Sequence, residues 1–129
     1  MGAFDLLGIA HSSLSTHQTW LDALGHNIAN VNTARRTDEA AFQAQYVMAQ
    51  AQGTGGVQVS GLAFGDPEGR LAYDPTHPLA DEEGMVRRPD MDLSDQMTGL
   101  IIAQRAYQAN VTVFERARDS YLRGLEIGR

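Results

Sequence analysis

The chain has 129 residues, 43% apolar and 20% charged, with ten basic groups against sixteen carboxylates and a formal net charge of -6; that is one domain's worth of sequence with little room for a second. The acidic balance disfavours both sequence-independent nucleic-acid binding and a polybasic membrane-surface role. With no cysteine, disulfides, thiolate metal sites and thiol catalysis are excluded, and no run approaches the ~18 uncharged apolar residues of a membrane span.

Met1 to Leu7 contain no positive run and lead into polar His11, Ser12 and Ser13, so no cleavable secretory signal is expected. From there the chain reads as helix. Leu7, Leu14, Leu21 and Ile28 recur every seven residues, with Ala10, His17, Leu24 and Val31 three residues behind. These are the a and d positions of a heptad, broken only by His17. As a helix, Leu7 to Val31 would span about 36 Å.

After Val31 the pattern changes. The run from Ala40 to Gln52 suits a helix by propensity and a strand by the alternation of Phe42, Ala44, Tyr46 and Met48, and the sequence leaves both open. Gly53-Thr54-Gly55-Gly56 reads as a flexible breaker without the lysine of a phosphate loop. Val57-Gln58-Val59, Leu62-Ala63-Phe64 and Leu71-Ala72-Tyr73, arranged about the turn Gly65-Asp66-Pro67-Glu68-Gly69, read as a β-hairpin. Asp74 to Pro78 ends it. Residues 79–91 read as an irregular acidic linker carrying Pro89.

A second long helix is expected from about 92 to 126, capped by Asp92 or Ser94. Leu93, Leu100, Tyr107, Phe114 and Tyr121 form one sevenfold series, and Met97, Gln104, Val111, Arg118 and Leu125 its companion. Gly8, Gly25, Gly99 and Gly124 each cost a helix roughly 1 kcal/mol against alanine. Close packing along Gly25 and Ala29, or along Ala103, Ala106 and Ala109, would offset that loss. The expected fold class is therefore mainly α: long N- and C-terminal helices packed as a coiled-coil-like pair, with a small middle β-hairpin region. One structural unit is expected, built from residues 1–33, 34–91 and 92–129.

Little in the chain suggests chemistry. His11, His17 and His26 are six and nine apart, off the i, i+4 spacing that sets two metal ligands on one helical face, and His77 lies in a proline-flanked loop. Asp81-Glu82-Glu83 lacks the interleaved ligands and glycine of a calcium loop and reads as a solvated acidic stretch. Ser12, Ser13 and Ser15 have no nucleophile-elbow context. Tyr107, Phe114 and Tyr121 at heptad spacing read as core rather than as a stacking platform. Asn30 and Asn110 read as amides fixing register at a helix seam, with a helix-end cap at Asn30 or Asn32 as the equal alternative. Two helices and one hairpin are too little chain to cover both the heptad stripes and the small-residue faces. Each large side chain left exposed forgoes roughly 1.5–3 kcal/mol. Repeated subunits would cover them, and heterologous, non-closing contacts would build a filament or tube.

Two stretches resemble a known family. His26-Asn27-Ile28-Ala29-Asn30-Val31-Asn32-Thr33 is similar to the N-terminal signature of bacterial flagellar rod and hook proteins, an amphipathic helix ending in Ala-Asn-x-x-Thr. Met97-Thr98-Gly99-Leu100-Ile101-Ile102-Ala103-Gln104-Arg105-Ala106-Tyr107-Gln108-Ala109-Asn110 is similar to that family's C-terminal helix motif. Between them, Leu71 to Pro75, His77 to Asp81, Gly84 to Val86 and Pro89 to Asp92 follow the order usual in proximal rod subunits, and the short length suits those too. The resemblance spans nearly the whole chain.

The resemblance implies a structural protein with no catalytic activity, metal or cofactor. It implies export, unfolded, through the flagellar type III apparatus without a cleaved signal, and assembly in the periplasm into the hollow rod that carries torque from motor to hook. The implied partners are further copies of itself, the rod subunits FlgB, FlgF and FlgG and the adaptor FliE, with no nucleic acid and no direct membrane span. The expected assembly interface comprises Leu7, Leu14, Leu21, Leu24, Ile28, Asn30 and Thr33 on the first helix. On the second it comprises Met97, Leu100, Tyr107, Asn110, Val111, Phe114, Tyr121 and Leu125. The hairpin and linker would face outward or bridge to neighbours. The alternative is a cytoplasmic helical adaptor in flagellar or type III export, closing the same heptads into a dimer; a metal-dependent enzyme using the histidines is a third reading.

Overall fold

Apolar side chains three and four apart make helices of the two ends, and polar side chains set their limits. Helix α1 (Ala3–Ala29) starts at Gly2, whose N–H donates to the Asp5 carboxylate at 3.1 Å, placing an acid at the positive end of the helix dipole. It stops where asparagine amides compete for the backbone: Asn30 Nδ2 donates to the His26 carbonyl at 2.9 Å, and the Thr33 hydroxyl donates to Asn30 Oδ1 at 3.1 Å. Helix α2 (Leu93–Ile127) starts at Asp92, whose carboxylate accepts from the Ser94 N–H at 2.7 Å. At 1.5 Å per residue these helices are about 40 and 52 Å long.

The computed structural model describes residues 2–128. In it the helices run antiparallel: the Phe4 and Tyr121 rings are 6.2 Å apart, His17 faces Asn110, and Leu24 lies against Gly99. The architecture is mainly helical with small antiparallel hairpins, as expected from the sequence.

The hairpins themselves are not the expected one. Strands β1 (Gln45–Ala51) and β2 (Val57–Phe64) pair with each other, and β3 (Arg70–Tyr73) pairs with β4 (Met85–Arg88). The 65–69 turn thus joins two sheets instead of closing a hairpin between β2 and β3. Its backbone is engaged elsewhere: Gly65 N–H donates to the Ala44 carbonyl at 2.8 Å, and Ala41 N–H donates to the Pro67 carbonyl at 2.7 Å. Gly69 (φ +57°) could not carry a Cβ, which would meet the Arg88 carbonyl and come within 2.5 Å of the Ala41 Cβ. The breaker at 53–56 is the true hairpin turn, with Gly55 and Gly56 at φ +92° and +95°. The run at 40–52 resolves as strand over Gln45–Ala51. The supposed linker contains β4, which holds the fully buried Val86; the strand pairs with β3 on one side, and its Arg87 bridges to Arg35 on the other.

The β1–β2 ribbon lies along α1, tied to it at both ends. At one end the Asn27 side chain grips the backbone of Gln45; at the other, Ser12 Oγ accepts from the Val57 N–H at 3.2 Å while donating to the Ile9 carbonyl. A Cβ on Gly56 would come within 2.5 Å of Ser12 Oγ, so glycine permits the turn to approach the helix. Helix α1 is therefore covered by α2 on one side and by the ribbon on another, while β3–β4 stands near the amino-terminal end of α2, its Arg70 sharing a hollow with Asp92 and Leu93.

The seam on α2 also differs from expectation. Its large members, Leu100, Tyr107, Phe114 and Tyr121, are half-buried, but the buried companion row is Gln96, Ala103 and Ala117, with half-buried Asn110 in line. Met97 and Leu125, from the expected row, are 46% and 51% exposed. Alternation of large with small residues lets the helices approach closely, and a Cβ on Gly99 would sit 3.1 Å from Leu24 Cδ2. Ala10, Ala23, Ala103 and Ala117 are buried within the chain itself, so these small residues need no second subunit to cover them. Gly25 and Ala29 face outward with open space at Gly25.

Candidate assembly interface

Three elements meet at a buried pair of amides. Asn27, 0% exposed, donates from Nδ2 to the Gln45 carbonyl and to Gln96 Oε1, both at 2.9 Å, while its Oδ1 accepts from the Gln45 N–H at 2.8 Å. One side chain thus replaces a neighbouring strand for β1 and fixes the register of α1 against α2. The sequence pattern points to Asn30 and Asn110 for this role, and neither forms the buried pair. The signal was present: the row 96, 103, 110, 117 leads from Asn110 back to Gln96.

The expected interface residues separate into four groups. Leu24 is buried, and Leu100, Tyr107, Phe114 and Tyr121 are half-buried on the side of α2 that meets α1. Asn110 stands in that seam with its amide 3.4 Å from His17 Nδ1. His17 Nδ1 is itself 2.7 Å from the Ser13 carbonyl, which requires a proton on that nitrogen. Leu7, Leu14, Leu21, Ile28 and Val111 are half-buried. Asn30 and Thr33 form the carboxyl cap of α1. Met97 and Leu125 point into solvent.

What the monomer leaves open is apolar. On α2 the exposed set includes Leu93, Met97 and Ile101 along one flank, and Ile102 and Val113 along the other. At the end bearing the termini, Phe4 is 72% exposed, with Leu122, Leu125 and Ile127 nearby on α2. The ribbon is apolar on both faces. Its register sets Tyr46 and Met48 opposite Ala63 and Gly61, and Leu62 and Phe64 opposite Val47 and Gln45, so the four large exposed residues divide between two sides. Single exposed apolar residues are ordinary on soluble proteins; rows of them on a slender molecule mark contact surfaces. Among the described residues no group of three or more His, Cys, Asp or Glu is placed to hold a metal ion, and no helix is long and apolar enough to cross a membrane.

Comparison with known proteins fits this geometry. A family described as flagellar basal body rod FlgEFG protein C-terminal matches residues 82–127, from the acidic loop through the whole of α2. Proteins named flagellar basal-body rod protein FlgC match from end to end. The one from Yersinia enterocolitica is 34% identical, covering all of both chains. Those from Salmonella typhimurium and Bacillus subtilis are each 31% identical, again over the full length of both chains. With full-length identity at this level and the same C-terminal element, the chain belongs to the FlgC family of flagellar basal-body rod proteins.

Proposed function

We propose that this chain, a structural subunit of the flagellar basal-body rod, polymerises through the apolar surfaces its monomer leaves uncovered into the hollow shaft that transmits torque from motor to hook. The observation that carries this reading is the row Leu93, Met97 and Ile101 with Ile102 and Val113, exposed on a helix whose opposite side is already satisfied by α1. Burying each such side chain gains roughly 1.5–3 kcal/mol, and neighbouring subunits are what a polymer supplies. Met97 and Leu125 belong to this outer interface; Leu24, Leu100, Tyr107, Phe114 and Tyr121 serve it by making the pair of helices stiff. The chain acts as one structural unit, without catalysis. Its neighbours are further copies of itself and the rod subunits FlgB, FlgF and FlgG, with FliE as the adaptor at the membrane side. It reaches the periplasm through the flagellar export apparatus.

Met97→Asp/Ile101→Asp tests the reading. Both positions are about half exposed in the monomer, so the variant keeps its helix content and unfolding midpoint. Its cells lose swimming, and basal bodies purified from them lack this chain. Normal motility, or a wild-type chain found in the cytoplasm and absent from basal bodies, would overturn the proposal.

A further inference from the structure

We propose that the hollow at the amino-terminal end of α2 receives the arginine-bearing outer face of α2 from a second copy of this chain; the inference rests on the rod-subunit reading and gives it one contact. The hollow has a volume of about 640 Å³ and is lined by the carboxylates of Asp90, Asp92 and Asp95, against a single arginine, Arg70. None of these four groups forms an ion pair among the described residues. Tyr46 and Leu93, both exposed, supply apolar wall. Gln96, only 6% exposed, also borders the hollow: its Oε1 is held by Asn27, while its Nε2 has no hydrogen-bond partner among the described residues. Carboxylates beside an aromatic face suit a guanidinium, which is planar, weakly hydrated, forks onto carboxylates and stacks on rings. The free amide can donate to an oxygen of the arriving helix.

The matching groups are in the same chain. Arg105, Arg116 and Arg123 are exposed, and their spacings of eleven and seven put them on one face of α2, away from the buried row of Ala103 and Ala117. None of the three is ion-paired among the described residues, whereas Arg118 on another face is bound to Asp119 at 3.2 Å. Charge is divided accordingly. Residues 70–95 carry seven carboxylates against three arginines, and residues 96–128 carry four arginines against three carboxylates. One molecule cannot bring the two together, because Asp95 and Arg123 lie about 42 Å apart along a rigid helix. Each copy therefore offers an acidic hollow at one end and free arginines toward the other. That is a heterologous contact, which does not close on itself.

Sedimentation velocity on the full-length chain tests it. The wild type self-associates at low ionic strength and dissociates as sodium chloride is raised. Asp90→Arg/Asp95→Arg remains monomeric, as does Arg116→Glu/Arg123→Glu, each checked for wild-type helix content. Mixed in equal amounts, the two variants associate again, because the reversed hollow now meets reversed arginines. Should a charge reversal fail to fold, Asp90→Asn/Asp95→Asn and Arg116→Gln/Arg123→Gln give the readout instead, each weakening self-association roughly tenfold. Association of either reversed variant at wild-type strength, a mixture that stays monomeric, or a wild type that is monomeric at every concentration would overturn the contact. The last result, found alongside loss of swimming in Met97→Asp/Ile101→Asp, would sink the self-contact and leave the rod-subunit reading standing.

Discussion

A leucine at position 27 would have about the size of the native asparagine and none of its hydrogen bonds. The Gln45 N–H and carbonyl and Gln96 Oε1 would lose their partner, and buried polar groups left unmet cost about 1–3 kcal/mol each. Asn27→Leu is expected to lower the unfolding free energy by roughly 3 kcal/mol in urea titrations, and Asn27→Leu/Gln96→Leu to lose less than the sum of the single changes, since both remove one shared bond. A loss within the error of the titration would show the amide to be dispensable. Asp81 works through charge. Its carboxylate accepts from the N–H groups of Met85 and Glu83 and from the Thr37 hydroxyl. The Met85 bond above all, helped by the others, favours the ionised form and holds the pKa below the ordinary 3.8, against a smaller upward push from desolvation. A pKa lower in the folded state than in the unfolded chain means a contribution that is complete above about pH 4 and lost as the pH falls through the folded value. The stability difference between the wild type and Asp81→Asn should therefore be largest near neutrality and close on acidification. A difference that stays constant into strong acid would exclude this role. The Asp92 cap was legible because its partner is two residues away; Asn27 was not, because its partners lie 18 and 69 positions distant.

Among elements, the helices were readable and the strand pairing was not. A heptad announces itself within a few turns, and both helices lie where the repeats put them, except that α1 ends at Ala29, two residues short of Val31. The companion row on α2 was misplaced by one position, because apolar Met97, Val111 and Leu125 outscore Gln96, Ala103 and Asn110 on hydrophobicity. Close approach selects small side chains, and the Asn27 amide donates to Gln96 across the seam. Pattern alone cannot register either advantage. Strand pairing failed for a different reason. Alternation located β2 and β3, but any two strands near a turn look like a hairpin, and what decided the matter was competition for their edges. Two glycines with positive φ gave β1 and β2 a tight turn against α1, while β3 found β4 across an acidic loop held together by Asp81.

At the scale of the whole molecule, a long antiparallel pair of helices with a ribbon along one side has much surface and little interior. The terminal turns are its thinnest part, with Phe4, Leu122, Leu125 and Ile127 exposed. Elements with few buried contacts open at low free energy. Amides of residues 3–8 and 120–127 are expected to exchange hydrogen rapidly in the isolated chain and to become protected in assembled rods, while those around Asn27 and Gln96 stay protected in both. Full protection of the ends in a dilute monomer would mean that assembly adds nothing there. The absence of lysine concentrates every positive side chain in the rigid fork of arginine, the form best suited to ordered contacts between neighbours.

Sequence by itself determined where the helices run and which family the chain resembles, because periodicity and local motifs are properties of neighbours along the backbone. Only the tertiary structure decided which side of α2 meets α1, which strands pair, and which apolar residues remain in solvent. Those outcomes depend on groups far apart in sequence competing for the same hydrogen bonds and the same narrow space, and that competition takes place only once the chain has folded.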